Sequence, residues 1–498
     1  AGTNWATAKQ TIQAAVDEAG DGDTVWVSNG VYATGGRVRQ GRVTNRIVLD
    51  KAVRVESLAG PLDTAVLGGD RTRCAYVGAH AVLSGFTLMD GQTWDDGMAG
   101  ETNFNDHFGG GAWCEPSGAM SNCWLIQNSA SHGGGGVYQG LLTDCRLQDN
   151  YRSQLGGAAY GSSLRGCLVS NNQASHQGGG TYDCRLWDCT VIDNWGADGC
   201  AAYYGSLSNC LVAGNEGDGN AVLFDCSLAN CLVVSNSTES MGAVQGGTLH
   251  NCTVADNATY DVGGVRQAIL YNCIVYGNSA SGPTVSNHQD CTFHHSCTAP
   301  NPGGTGNIAD DPQFVDAGNG NYRLLATSPC MEAGDDSAVL DETDLDGNPR
   351  IVYGAVDLGA YELQLAGAGT WFTAITNGLT NDLDCAAGDG VPNLLKYATG
   401  SSPRISDTLM LLDWDLSGWA TLKFNRNPNA TDVQIVVEGA DGLADGTVWR
   451  GVATNTGGSW GGATNVSESG TGNSVQCTVT DPVALESNRF LRLRVTRP

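Results

Sequence analysis

Eight cysteines fall in register: Cys123, Cys145, Cys167, Cys189, Cys210, Cys231, Cys252 and Cys273, at steps of 22 and then 21 residues. Their neighbours repeat with them. Three positions before stand Met120, Leu142, Leu164, Leu186, Leu207, Leu228, Leu249 and Leu270. Two after stand Leu125, Leu147, Val169, Val191, Val212, Val233, Val254 and Val275. Five after comes asparagine every time: Asn128, Asn150, Asn172, Asn194, Asn215, Asn236, Asn257 and Asn278. A self-similar period of this kind decides the architecture before any other signal.

The unit L-x-x-C-x-V-x-x-N plus a Gly-rich stretch is too short for a helix–turn–helix repeat. It suits one rung of a coil made of three short strands and three bends. Cys and the residue two later then share a strand face, because side chains alternate. Rungs stacked at about 4.8 Å set like over like. The expected fold is all-β, a right-handed single-stranded parallel β-helix with Cys, Leu and Val ladders inside. Asn at a bend bonds to the Asn of the next rung and tolerates left-handed backbone. Gly135-Gly136 and Gly179-Gly180 supply tight bends. The template reaches back to Leu83–Leu88 with Phe86 in the Cys position, and forward to a shortened copy at Asp290–Phe293. Between Phe86 and Cys123 it leaves room for an insertion over 92–106.

Eighteen cysteines would ordinarily suggest a disulfide framework. Inside a stack they act instead as small apolar residues. Bonding neighbours whose Cβ vectors run parallel would strain the bridge, so the ladder is expected to hold free thiols. No paired C-x-x-C pattern suggests structural zinc. Lys+Arg is 25 against Asp+Glu 52, a net charge of −27. Such a surface repels nucleic acid and anionic membranes, and no apolar run approaches the roughly 20 residues of a membrane span. Neither partner is expected. The chain opens Ala1-Gly2-Thr3, as a processed secreted protein would, and as a trimmed one would too.

Both ends of the repeat carry resemblances. Thr11-Ile12-Gln13-Ala14-Ala15-Val16-Asp17, with apolar residues at helical spacing, predicts a cap helix over about 8–19. Thr24-Val25-Trp26-Val27 and Gly30-Val31-Tyr32 follow as first strands. This block resembles the N-terminal cap of the pectin-lyase-like superfamily. Asp311-Pro312-Gln313-Phe314, Ser328-Pro329-Cys330, Asp344-Leu345-Asp346-Gly347-Asn348 and Asp357-Leu358-Gly359-Ala360-Tyr361-Glu362 resemble the closing segment of bacterial surface β-helix proteins with a "choice-of-anchor" region. The expected domains are a β-helix over 1–365, closing at about 311–362, then a linker over 366–400 with a degraded calcium-loop-like segment and a short helix. Alternating strands over 401–498 predict a small β-sandwich. Cys385 and Cys477 stand as a pair that is either bonded or free.

Candidate site residues lie on two outward stripes. Seven positions before the ladder Cys stand Tyr138, Tyr160, Tyr182, Tyr203 and Phe224, continued by Gln245 and Arg266. They form a packing feature, or else a sugar-stacking platform or a protein interface. Beside them, His132, Gln154, His176, Asp198 and Asp261, with Asp218 and Glu239, make a polar ridge, read chiefly as loop tips. Asp95, Asp96, Glu101, Asp106 and His107 concentrate in or beside the insertion, read chiefly as a solvated acidic loop and otherwise as a cluster for a cation or acid–base work. No cofactor is expected; were calcium bound, Asp95, Asp96, Asp344 and Asp346 are its candidate ligands, although the Asp344–Asn348 stretch lacks a closing Glu and reads as structural. Superfamily enzymes place a cation-held base or a carboxylate pair on one exposed sheet, the chemistry that sugar C5 proton abstraction or glycoside cleavage requires. No such set repeats here at facing rung positions. Two functions remain: an extracellular structural or adhesive protein of the bacterial surface or matrix, assembling head to tail into filaments, or a carbohydrate-active lyase, hydrolase or binding module acting on polysaccharide. The first is favoured.

Overall fold

The computed structural model describes residues 5–93, 104–282, 287–352, 355–364, 413–415, 419–428, 430–440, 448–461, 465–469, 475–484 and 490–496. The linker over 366–400, Cys385, Asp95, Asp96 and Glu101 lie outside them. The chain divides into two compact units, Ala1–Asp310 and Asp311–Pro498.

The first unit is a parallel β-helix. A rung begins at Leu141–Thr143, turns into Arg146–Gln148, and returns through Ser153–Leu155 and Ala159–Tyr160. Each strand pairs in parallel with its counterpart one rung on: Leu142 with Leu164, Leu147 with Val169, Ala159 with Thr181. The registered Leu, Val and Cys residues all point inward and merge into one buried core with Phe86.

Two features depart from the expected rung. The stretch after the ladder Asn is itself extended from Asn150 on, so a rung such as 141–160 carries four strands, while Thr181–Trp187 and Ala202–Ser208 each run two of the four together. The extra strands, from Ser153–Leu155 to Ser279–Ala280, form a separate seven-stranded sheet. It exists because the residue after each ladder Asn donates to the ladder Asn one rung back, as Gln173 N–H does to Asn150 O at 2.9 Å. Second, the left-handed residue is not the ladder Asn but the one before it: Asp149 (φ 55°), Asn171 (φ 53°) and Asp193 (φ 55°). Asp144 and Asp188 play the same part before the Cys. Asn, Asp and Gly fill these corners because they carry the least penalty there.

That shift frees the ladder Asn to point inward and bond. Asn172 Nδ2 donates to Asn194 Oδ1 at 2.9 Å, to Leu147 O at 2.9 Å and to Ser170 O at 3.0 Å. Asn194 Oδ1 also accepts the Asn172 N–H at 3.0 Å. The same pattern links Asn128 through Asn278.

The eight registered cysteines are buried free thiols. Their sulfurs accept from the rung before, as Cys189 Sγ does from Cys167 N–H at 3.4 Å. A second file of small residues lines another corner, with Cys184 and Cys226 among them; burial pushes both thiols up to about 12. The eight registered thiols are all buried, and a covered sulfur is out of reach of an alkylating reagent. The expected result of alkylation followed by peptide mapping is therefore no labelling of the eight in the native chain and complete labelling in denaturant without reductant. Eight residues that label only after reduction would contradict the ladder.

The N-terminal end carries a helix over Ile12–Glu18 (α1), capped by the Thr11 side chain. Ile12 and Val16 join the core, and the Gln13 side chain clamps Val48 by both its N–H and its C=O.

The second unit begins with two short hairpins, Phe314–Asp316 with Asn321–Leu324 and Ile351–Val352 with Ala355–Val356. Two four-stranded antiparallel sheets follow. Leu422, Phe424, Ile435, Val437, Ala453 and Val479 share one core, as expected of a small β-sandwich. Cys477 is a buried free thiol, 3.2 Å from Glu468 Oε1.

Candidate functional site

The aromatic stripe is a continuous stack. The residue before each ring (Val137, Ala159, Thr181, Ala202 and Leu223) is buried inward, so the ring itself faces out. Ring centroids of Tyr138, Tyr160, Tyr182, Tyr203 and Phe224 follow at 5.5, 4.9, 5.6 and 4.6 Å, with neighbouring planes within 28°. The file runs two rungs further than the spacing predicts. Trp113 stacks on Tyr138 at 5.6 Å and Tyr76 on Trp113 at 5.2 Å. Those two stand ten residues before Cys123 and Phe86 rather than seven, because longer turns at 115–118 and 78–81 intervene. The signal in the sequence is that Tyr76 and Trp113 stand as far apart as Phe86 and Cys123.

The geometry bears on what the stack can do. A sugar ring docks on an aromatic face, and here every face between Tyr76 and Phe224 is covered by the next ring, while Arg39 lies over the Tyr76 ring. Phe108 covers edges of Tyr138 and Tyr160, and Tyr204 covers edges of Tyr182, Tyr203 and Phe224. Burial raises the phenols of Tyr138 and Tyr160. Such a stack is worth about 0.5–1.5 kcal/mol per ring pair beyond area burial; it stiffens the rod along its axis.

The polar ridge sits on the seven-stranded sheet, not on loop tips, over its central part: Gln154, His176 and Asp198 are strand residues. Each takes a local partner. His176 Nδ1 lies 3.0 Å from Ser175 Oγ. Asp198 Oδ1 accepts the Asn220 N–H at 3.0 Å and Nδ2 at 2.8 Å. His132 packs edge-on to Phe108 at 5.0 Å, and burial, then His107, pull its imidazole below the usual range. Asp261 is half-buried, and Asp218 and Glu239 are exposed in the turns that follow. The ridge does not draw an acid and a base onto one point.

From the insertion, Asp106 and His107 are pins rather than solvated groups. Asp106 is buried and accepts Arg42 N–H at 2.6 Å, Val43 N–H at 3.2 Å and Arg42 Nε at 3.1 Å. His107 Nδ1 lies 2.9 Å from Ser131 Oγ. The residue that anchors the segment escaped the spacing argument altogether: Arg73, buried, donates to Gly109 O, Asn105 O, Phe108 O and Asn45 Oδ1 at 2.6–2.9 Å. Its only mark in the sequence is a charge within the strand Thr72–Val77.

In the second unit, Asp344 accepts three backbone N–H groups, from Asp346, Asn348 and Glu362, at 2.8–3.0 Å. Asp346 pairs with Arg323, whose guanidinium lies over Tyr361 at 4.6 Å. Both carboxylates thus have structural occupations, and among the described residues no group of three or more His, Cys, Asp or Glu could hold a metal ion. Asp357 and Glu362 are buried beside Asp344 and Arg350. Burial pushes Asp357 from 3.8 up to about 6 and Glu362 well above its usual range.

An acid whose folded value is raised stabilises most below its unfolded value and loses that contribution as pH rises through the folded one. For Asp357 the window is about pH 4 to 6, worth on the order of 3 kcal/mol. Hydrogen exchange over residues 330–362, corrected for intrinsic rates, should show stronger protection at pH 4.5 than at pH 7.5. Asp357→Asn should shrink that difference, with Glu362 keeping a share of the same sign, and protection that rises with pH would refute the assignment.

No helix among the described residues is long and apolar enough to cross a membrane. No protein-family model matches the chain, and no curated protein matches it in sequence. Among solved structures it is similar to pectate lyase Pel9A (14% identity, TM-score 0.40, covering 71% of this chain and 91% of that one). It is also similar to the alginate lyase AlyGC (10%, 0.26, 66% and 58%). A third is tailspike protein 2 of the Escherichia coli O157:H7 bacteriophage CAB120 (10%, 0.25, 98% and 62%).

Proposed function

We propose that this chain is an extracellular structural and adhesive rod of a bacterial surface or matrix, one that acts through its surfaces and assembles head to tail. The observation that supports this reading is how the repeated outward side chains are used: seven rings lie in one file, stacked face to face on one another. A rod that performs chemistry spends outward positions on unlike groups converging on a reacting atom; this rod spends them on axial stiffness. A head-to-tail contact does not close on itself and so grows fibres.

Light scattering across a concentration series of the full chain, beside an assay of pectate and alginate for new reducing ends and unsaturated products, tests the reading. Particle mass that climbs with concentration, without product, is expected. A monomer at every concentration that releases product would replace this reading with that of a polysaccharide lyase or hydrolase.

A further inference from the structure

The N-terminal end of the rod holds a cleft that the stacked side lacks. The first strands, Thr24–Val27 and Gly30–Tyr32, pair in parallel only on the side facing Arg54–Ser57 and Thr64–Gly69. Their other side faces α1 across a cavity of about 930 Å³, lined by Trp5, Lys9, Glu18, Trp26, Tyr32 and Leu58 among others. That volume lies near the upper end of the roughly 300–1,000 Å³ typical of ligand clefts. Trp5 is 61% exposed and Trp26 53%, in contrast to the rings of the stack, which are buried or half-buried. Exposed large apolar groups gathered at one place mark an interaction site rather than ordinary surface.

The polar groups between the indoles narrow the ligand. Lys9 pairs with Glu18 across the mouth, and Asp23 Oδ2 holds the Gly20 N–H at 2.8 Å. The Tyr32 hydroxyl donates to Ser28 O at 3.0 Å and keeps acceptor capacity. The cleft therefore offers flat apolar faces flanked by hydroxyl, ammonium and carboxylate partners. Its two carboxylates against one ammonium, on a chain of net charge −27, disfavour an anionic ligand. A peptide strand could add to the open edges, but those are four and three residues long, the blunted kind that pairs poorly.

We propose that this cleft binds a neutral polysaccharide, with the indoles of Trp5 and Trp26 against the C–H faces of the sugar rings and Glu18, Lys9 and Tyr32 bonding their hydroxyls. The proposal rests on the adhesive reading and names its ligand class and its site.

The test measures binding of the full chain to cellulose, xylan, mannan and chitin by affinity electrophoresis and pull-down, with pectate and alginate as anionic comparators. A strand-forming peptide library is scored in parallel. Trp5→Ala and Trp26→Ala are compared with Trp187→Ala, which removes an exposed indole on the side of the rod. Circular dichroism and melting confirm that each variant folds. Binding to at least one neutral glycan is expected, weakened tenfold or more by either cleft substitution and unchanged by Trp187→Ala. The proposal is overturned by binding to none of the neutral glycans, by binding only to the anionic ones, by a cleft-dependent peptide instead of a glycan, or by glycan binding indifferent to Trp5 and Trp26. Product release from a polysaccharide would end the structural reading while leaving the cleft's binding intact, so the two failures read separately.

Discussion

Asn194→Ala is expected to destabilise the middle of the rod by about 4 kcal/mol or more. The side chain serves both neighbouring rungs at once. Its Nδ2 donates to Asn215 Oδ1 at 2.9 Å and to Val169 O and Ile192 O at 3.0 Å. Its Oδ1 accepts both the backbone N–H and the Nδ2 of Asn172. Truncation leaves several of these groups buried without that partner, and a buried unsatisfied group costs about 1–3 kcal/mol. The sum is not simply additive, because Asn172 Nδ2 keeps its bonds to Leu147 O and Ser170 O. Each rung touches only its neighbours, so the loss should be local. Hydrogen exchange should rise over residues 167–217 and leave the first rungs unchanged. Asn194→Asp should be damaging as well, since a carboxylate cannot donate to Val169 O. A cost below about 1 kcal/mol for the alanine variant, or exchange raised evenly along the chain, would show that the Asn file is not what ties the rungs together.

The registered motif was readable because a β-helix turns three-dimensional stacking into one-dimensional spacing. Leu207, Cys210, Val212 and Asn215 are 21 residues from Leu228, Cys231, Val233 and Asn236, and those are their partners across the rung. The reading failed where identity gives way to size or shape. The second small-residue file runs through Ser162, Cys184, Gly205, Cys226 and Gly247, so no single letter repeats. What repeats is lack of bulk: a Cβ on Gly205 would stand 2.0 Å from Cys184 O, and one on Gly247 1.9 Å from Cys226 O. The fourth strand was hidden for a similar reason. Its inward residue, two after the ladder Asn, changes identity from rung to rung, through Ala174, Gly196, Gly217, Thr238 and Thr259, and only its small size repeats.

Sites built by distant residues were least readable of all. Asp106 meets Arg42 across 64 positions, and Arg73 meets Gly109 across 36. Neither distance is a multiple of the rung. The spacing rule also treated Asp106 and His107 as loop chemistry, because nothing local says that a charged side chain in an insertion will be folded under it. Spacing gives the positions of the aromatic stripe, but the stacking of one ring face on the next depends on plane orientation, which spacing does not encode.

Arg73→Met tests that long-range anchor, and its effect is expected to be the other large one, about 3–5 kcal/mol of local stability. Methionine fills a similar length of apolar space, so packing loss is small and the change isolates the guanidinium. Burial pulls that group down to about 10, so it keeps its proton at neutral pH. The substitution takes the guanidinium away from three carbonyls of the anchored segment, Asn105, Phe108 and Gly109, and from Asn45 Oδ1. It also takes away a favourable charge near the buried carboxylate of Asp106, which keeps only its bonds to Arg42 and Val43. The segment 104–111 should then lift, carrying Phe108 off the edges of His132, Tyr138 and Tyr160. Limited proteolysis should cut between 104 and 111 in the variant and not in the parent, while exchange protection beyond Cys189 stays as it was. Arg73→Lys should rescue only in part, because one ammonium cannot reproduce the spread of a planar fork over four acceptors. If the methionine variant resists protease as the parent does, the insertion is held by Asp106 and its ring contacts alone, and the buried arginine serves the strand it sits in.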